Sequence, residues 1–338
     1  MPALFRSVVR LLIVVASLTS LAPLARAQHP ALPLEHVADI ALPGPALRFD
    51  YQSFDPLRQR LYIAHMGAGR VLAVDVATHE IHVIPDMPDV HGVLAVTELG
   101  RVYATVTARN EVTAIDADTL AVLGRAPTGR YPDGIAHAPQ ARKLFVSNEA
   151  GGSDTVIDVG SFRTVATIAL GGEVGNTQYD AVSQHIFANV QTTGELVEID
   201  PQSHRIVARH RLEGARGNHG LYIDADRRLA FIACEADRRL ITFDLEARKA
   251  IAVDAVGAGP DVLAFDPALR LLYVAAESGV VSMFREERRK LVKIGEALLA
   301  PGAHSVAVNA QTHDVYFPLK SVNGRPVLRV MRPTADLR

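Results

Sequence analysis

An aromatic residue returns seven times along this chain, and that repeat constrains the fold more than any other feature. The positions are Tyr62, Tyr103, Phe145, Phe187, Phe231, Tyr273 and Tyr316, at intervals of 41–44 residues. Each sits in a short apolar run such as Leu144-Phe145-Val146. The segment 134–175 shows the whole unit. It holds four short runs rich in Val, Ile and Thr, broken by Pro139-Gln140-Ala141, Gly151-Gly152-Ser153 and Gly160-Ser161. Runs this short, with β-branched residues and turn punctuation, are strands. A lone four-stranded meander cannot bury both faces and needs copies on either side. The expected fold is all-β: a seven-bladed β-propeller with four antiparallel strands per blade. Third strands follow in register and end in an acid, as in Val71-Leu72-Ala73-Val74-Asp75 and Val112-Thr113-Ala114-Ile115-Asp116. Asp at such a place accepts from the backbone of the following turn.

The seventh copy ends after its third strand, Val327-Leu328-Arg329-Val330. A run resembling a fourth strand stands at the other end of the chain, His36 to Pro43. The N-terminal strand is therefore expected to complete the last blade and close the ring without a loose edge. Residues 1–27 read as a cleaved signal peptide. Arg6 and Arg10 precede the apolar stretch Leu11 to Leu21, and Ala25-Arg26-Ala27 is a cleavage site before Gln28. Residues 28–338 then form one domain, periplasmic or secreted, with no membrane span after cleavage. Removing the leader leaves 32 basic against 37 acidic residues, a net charge of −5. That balance gives no footprint for nucleic acid. The single Cys234 sits in an apolar strand and reads as a buried, inert thiol.

The third copy carries a family resemblance. Pro132-Asp133-Gly134, Lys143-Leu144-Phe145-Val146-Ser147-Asn148 and Thr164-Val165-Ala166-Thr167-Ile168 resemble the YVTN-type repeat of YncE-like exported β-propellers. The resemblance spans residues 34–333. It implies a seven-bladed propeller outside the cytoplasm and leaves activity open, since members bind ligands or partners and related propellers carry metal-dependent lyases and lactonases. With no Trp in the chain, the Trp-Asp signature of WD repeats and the Trp-rich motifs of quinoprotein dehydrogenases are absent.

Counting back from the turn after each first strand gives one polar residue per copy: Asp50, His91, Asp133, Asn176, His219, Asp261 and His304. These are expected to circle one mouth of the central channel. His91, His219 and His304 are spread over the ring, so their rings are expected to converge and to suit a divalent metal ion. Asp50, Asp133, Asn176 and Asp261 equally suit a small polar ligand. Four residues past the aromatics, Glu149, Glu235 and Glu277 form a second layer that could orient the first or act as base. Asp and Asn before Gly also serve turns, and strand-end Glu is often only solvated. Arg48, Arg130 and Arg216 lead into the ring.

Three functions fit this pattern. The first is a periplasmic propeller binding a small-molecule ligand, a metal ion or an envelope protein at the channel mouth. The second is a metal-dependent lyase or hydrolase working through the His/Asp ring. The third is a structural envelope-interaction module.

Overall fold

The structure, a computed structural model, describes residues 31–338. The signal segment expected over 1–27 lies outside the described residues. Seven four-stranded antiparallel sheets follow one another around a ring, a β-propeller. The third blade shows the common order from channel to rim: Pro132–Ala138, Lys143–Asn148, Ser153–Asp158 and Arg163–Ala169. Its outermost strand alternates exposed and part-covered residues, as a strand with one wet face should.

The last blade takes its outer strand from the other end of the chain. Leu34–Ala41 pairs antiparallel with Arg325–Pro333, from Leu34 opposite Pro333 to Ala41 opposite Val327. Leu42 N donates to the Pro326 carbonyl at 3.0 Å and continues the ladder. Ile40 and Leu42 are buried with Tyr316, Leu61 and Leu328, between the seventh blade and the first.

The seven aromatics explain why the blades stay together. All are buried, none more than 2 % exposed. Among the described residues the apolar core falls into seven clusters, and each spans one seam between neighbouring blades and holds one of the aromatics. Tyr62 packs toward Val93 and Val102 of the second blade, and Phe187 toward Ile232 and Phe243 of the fifth. Burying such a ring stabilises by about 1.5–3 kcal/mol, so the repeat is a seam signal as much as a strand signal. The third-strand acids do cap turns. Asp75 Oδ1 accepts from Ala77 and Thr78, and Asp116 Oδ1 from Asp118 and Thr119. Cys234 is fully buried and burial pushes its thiol up to about 12. Among the described residues no helix is long and apolar enough to cross a membrane.

Candidate functional site: a polar cup at the channel mouth

The innermost strands bring the ring residues together through a repeated irregularity. In blade two, Val90 pairs with Val106 but Val93 with Ala104, so the inner strand carries one extra residue. The same bulge recurs at Pro132/Ile135, Val174/Thr177, Asn218/Leu221 and Pro260/Leu263. A bulge re-aims a side chain, and here the bulged residues include His91, Asp133, His219 and Asp261. The glycine that follows allows the next blade to come close. A Cβ on Gly92 would lie 2.2 Å from the Asp133 carbonyl oxygen, and one on Gly220 1.9 Å from that of Asp261. Asp50 and His304 hold the same place in blades one and seven, and both are buried.

Blade four departs from the expected ring. Asp180 pairs with His185 as Ala138 pairs with Lys143, which puts Gly175, not Asn176, opposite Asp133 in the repeat. Asn176 stands one residue further along, a layer deeper in the channel. There it meets Tyr51, which occupies the same layer one residue past Asp50. The other blades fill that layer with Gly92, Gly134, Gly220, Val262 and Ser305. Tyr51 is the one large side chain among them, and it crosses the channel. Its hydroxyl accepts from Asn176 Nδ2 at 2.8 Å and lies 3.0 Å from His219 Nε2. Tyr51 thus divides the channel. Above it is a cup of about 180 Å³ lined by Arg48, Asp50, His91, Tyr131, Asp133, Glu149, His219, Glu235 and Asp261. Below it is a separate cavity of about 130 Å³ lined by Gly92, Gly134, Asn176 and apolar residues such as Leu94 and Leu221.

The three histidines are not equivalent. His91 Nδ1 faces the Asp89 carbonyl at 2.9 Å and Thr107 Oγ1 at 2.8 Å. Thr107 in turn donates to the Pro132 carbonyl at 2.6 Å, so it accepts from His91. That fixes the proton on Nδ1 and leaves Nε2 toward the cup, 3.2 Å from Tyr131 Oη. His304 Nε2 must donate to the Phe49 carbonyl at 3.0 Å, while its Nδ1 lies 3.2 Å from Glu277 Oε2, close but poorly aligned. Burial disfavours a charge on His304, yet Glu277, Asp261 and Asp50 outweigh it and raise its pKa. His219 Nε2 sits between Asp133 Oδ2 at 3.4 Å and Asp261 Oδ1 at 3.6 Å. Burial again works against the charged ring, but those two aspartates raise it to about 9.

The geometry groups a different set from the expected His91, His219 and His304. Among the described residues, the His, Cys, Asp or Glu group whose ligand atoms all lie within 4.8 Å is Asp50, Asp261 and His304. His91 and His219 are outside it. His304 Nε2 already carries a proton to Phe49, so the ring lacks the lone pair a metal needs there. Of the three expected ligands, His91 turns Nε2 toward the cup while Nδ1 is taken up by Asp89 and Thr107.

The carboxylates carry most of the cup's chemistry. Asp133 Oδ2 and Asp261 Oδ1 are buried without a hydrogen-bond partner. The Asp50 carboxylate meets His91 Nε2 and His304 Nε2 only at 3.8 Å, beyond hydrogen-bond length. Burial raises Asp50 and Asp133 above the ordinary carboxylate range and Asp261 to about 7. Glu149 and Glu235 line the cup; Gln191 Nε2 donates to Glu149 Oε1 at 3.1 Å. Glu277 stands behind it, held by His304 and by Arg48 Nη1 at 2.7 Å. Of the other two basic residues, Arg130 donates to the Ala150 carbonyl, and Arg216 is not part of the cup lining.

No sequence pattern marks Tyr131, yet its backbone is strained. It has φ +62°, two residues before Asp133, where blades five, six and seven place Gly217, Gly259 and Gly302 in the same left-handed region. A bulky residue there costs about 1–3 kcal/mol, and such strain collects at working sites. Asn110 Oδ1 accepts from Tyr131 N and holds the turn.

No family profile and no curated protein matches the chain in sequence. Solved structures do match in shape. A chain of the Kuenenia stuttgartiensis hydrazine synthase is similar at TM-score 0.71 and 16 % identity, over 85 % of this chain and 96 % of that one. Virginiamycin B lyase from Staphylococcus aureus is similar at 0.72 and 10 %, over 87 % and 98 %. A chain of a mitotic checkpoint complex is similar at 0.75 and 9 %, over 96 % and 99 %. At these identities the likeness is one of fold.

Proposed function

We propose that this chain is an exported, YncE-like β-propeller that binds a small polar ligand in the cup above Tyr51. One observation carries the reading: Asp133 and Asp261 line the cup, and a buried carboxylate oxygen of each lacks a hydrogen-bond partner, with His219 Nε2 the nearest cation at 3.4 and 3.6 Å. Each unpaired buried acceptor costs about 1–3 kcal/mol, a cost that a bound ligand would remove. Tyr51 gives the cup a floor, so a ligand can be covered on all sides but one. Localisation in the periplasm or outside the cell rests on the leader at 1–27.

A second reading, a lyase or hydrolase, is supported by His91. Its Thr107 contact fixes the tautomer and turns Nε2 to the cup, the geometry of a general base. Virginiamycin B lyase has this architecture, which makes a lyase compatible with the fold.

The test is a thermal-shift screen of small cationic, neutral and anionic solutes against wild type and Asp133→Asn. A solute that raises the melting temperature of wild type and not of the variant supports the cup. If no solute separates the two proteins, the reading falls. Conversion of the bound solute, abolished in His91→Ala, would favour the second reading.

A further inference from the structure

The charge of the cup narrows the ligand class, an inference that rests on the binding reading above. Six carboxylates stand in or beside it: Asp50, Asp133, Asp261, Glu149, Glu235 and Glu277. Against them stand Arg48, His219 and His304, with His91 donating from Nδ1. Counted formally, with every carboxylate and the His219 and His304 imidazoles charged, the site carries three negative charges, and fewer where burial keeps an aspartate protonated. An anion entering a partly enclosed site of that sign meets repulsion that low polarity magnifies.

The unfilled acceptors give the shape of the cation. His219 Nε2 has one proton, and Tyr51 Oη, Asp133 Oδ2 and Asp261 Oδ1 compete for it. Tyr51 Oη already accepts from Asn176 Nδ2, so at least one of the two aspartate oxygens stays short of a donor. Ligand atoms of Asp50 and Asp261 lie within 4.8 Å of each other. A nitrogen about 2.8 Å from two oxygens at near-tetrahedral angle needs them about 4.6 Å apart. A primary ammonium carries three N–H donors. The cup is larger than a bare ion needs, since one water requires only about 10–15 Å³ of such space. Tyr131 stands on its rim, where an aromatic ring favours a cation.

We propose that the cup binds a small organic molecule through a primary ammonium group, which donates to Asp50, Asp261 and Asp133. The rest of the molecule lies toward Tyr131, Glu149 and Glu235.

Calorimetric titration with ethylammonium chloride at about pH 8 tests this, with tetramethylammonium, acetate and Mn²⁺ as comparisons. The expected result is saturable binding of ethylammonium, at least about tenfold weaker binding of tetramethylammonium, which has no N–H, and about tenfold loss in Asp133→Asn and Asp261→Asn. Tyr131→Asn, away from the buried carboxylates, keeps the test alive if the Asp variants unfold; it should weaken binding several-fold. Equal binding of the two ammonium ions overturns the hydrogen-bonded assignment. Binding of acetate, Mn²⁺ or a neutral solute without ethylammonium overturns the ammonium assignment and leaves the cup as a binding site. No binding of any solute, here or in the thermal screen, removes the cup reading itself.

Discussion

The residues that define this site differ in how much their identity is dictated by the backbone. Gly92 and Gly220 are forced, because any Cβ would strike the carbonyl of the next blade's ring residue. Tyr131 is the reverse case: the backbone asks for glycine or asparagine, and the chain supplies a phenol. Tyr131→Asn should therefore stabilise the free protein by about 1 kcal/mol, or leave it unchanged, while weakening ligand binding. Chemical denaturation beside titration checks both; a variant both destabilised and fully active in binding would contradict the assignment. Strain of this kind is invisible in sequence, since Tyr131-Pro132-Asp133 reads as an ordinary turn. The ring itself was largely legible, because polar residues recur at a fixed distance from each turn. At blade four the turn can be set at Ala181-Val182 or one residue earlier, and the first choice leads to Asn176. Asp180-Ala181 matches Asp224-Ala225 and Asp266-Pro267 better and leads back to Gly175. Tyr51 could have been found the same way, as the one bulky residue in a layer otherwise holding Gly92, Gly134 and Gly220. The roles of the three histidines could not, since each depends on carbonyls and a threonine brought in from other segments.

At the scale of the element, the strands were readable because short β-branched runs and capping acids are local signals. The bulges that aim His91, Asp133, His219 and Asp261 were not, because a bulge exists only relative to its partner strand. The closing strand was legible by arithmetic: one copy lacked a fourth strand and one fourth strand lacked a copy. Leu34–Ala41 covers the edge of Arg325–Pro333 and buries Ile40 in the seam between the last blade and the first. Asp39 adds a two-pronged ion pair with Arg329 at 2.7 and 2.8 Å, which at an exposed site contributes little. Removing residues 28–43 is expected to open the ring. The thermal transition should broaden, and the bared edge should promote self-association, both measurable by calorimetry and sedimentation. An unchanged, sharp, monomeric transition would contradict the closure.

For the whole molecule, seven seams built alike hold seven inner strands around one axis, and what the axis contains depends on two layers of side chains. The upper layer concentrates carboxylates and the lower one is blocked by Tyr51. Neither follows from the fold, which the chain shares with other proteins at low identity. The central claim is that the cup, floored by Tyr51, is where the ligand sits. A crystal structure of the protein soaked in ethylammonium tests it most directly. The expected result is density above Tyr51 with a nitrogen about 2.7–3.2 Å from the Asp50 and Asp261 carboxylates, and the Tyr51 hydroxyl still bridging Asn176 and His219. An empty cup at saturating ethylammonium, or the nitrogen bound elsewhere with Tyr51 swung out of the channel, would contradict the account.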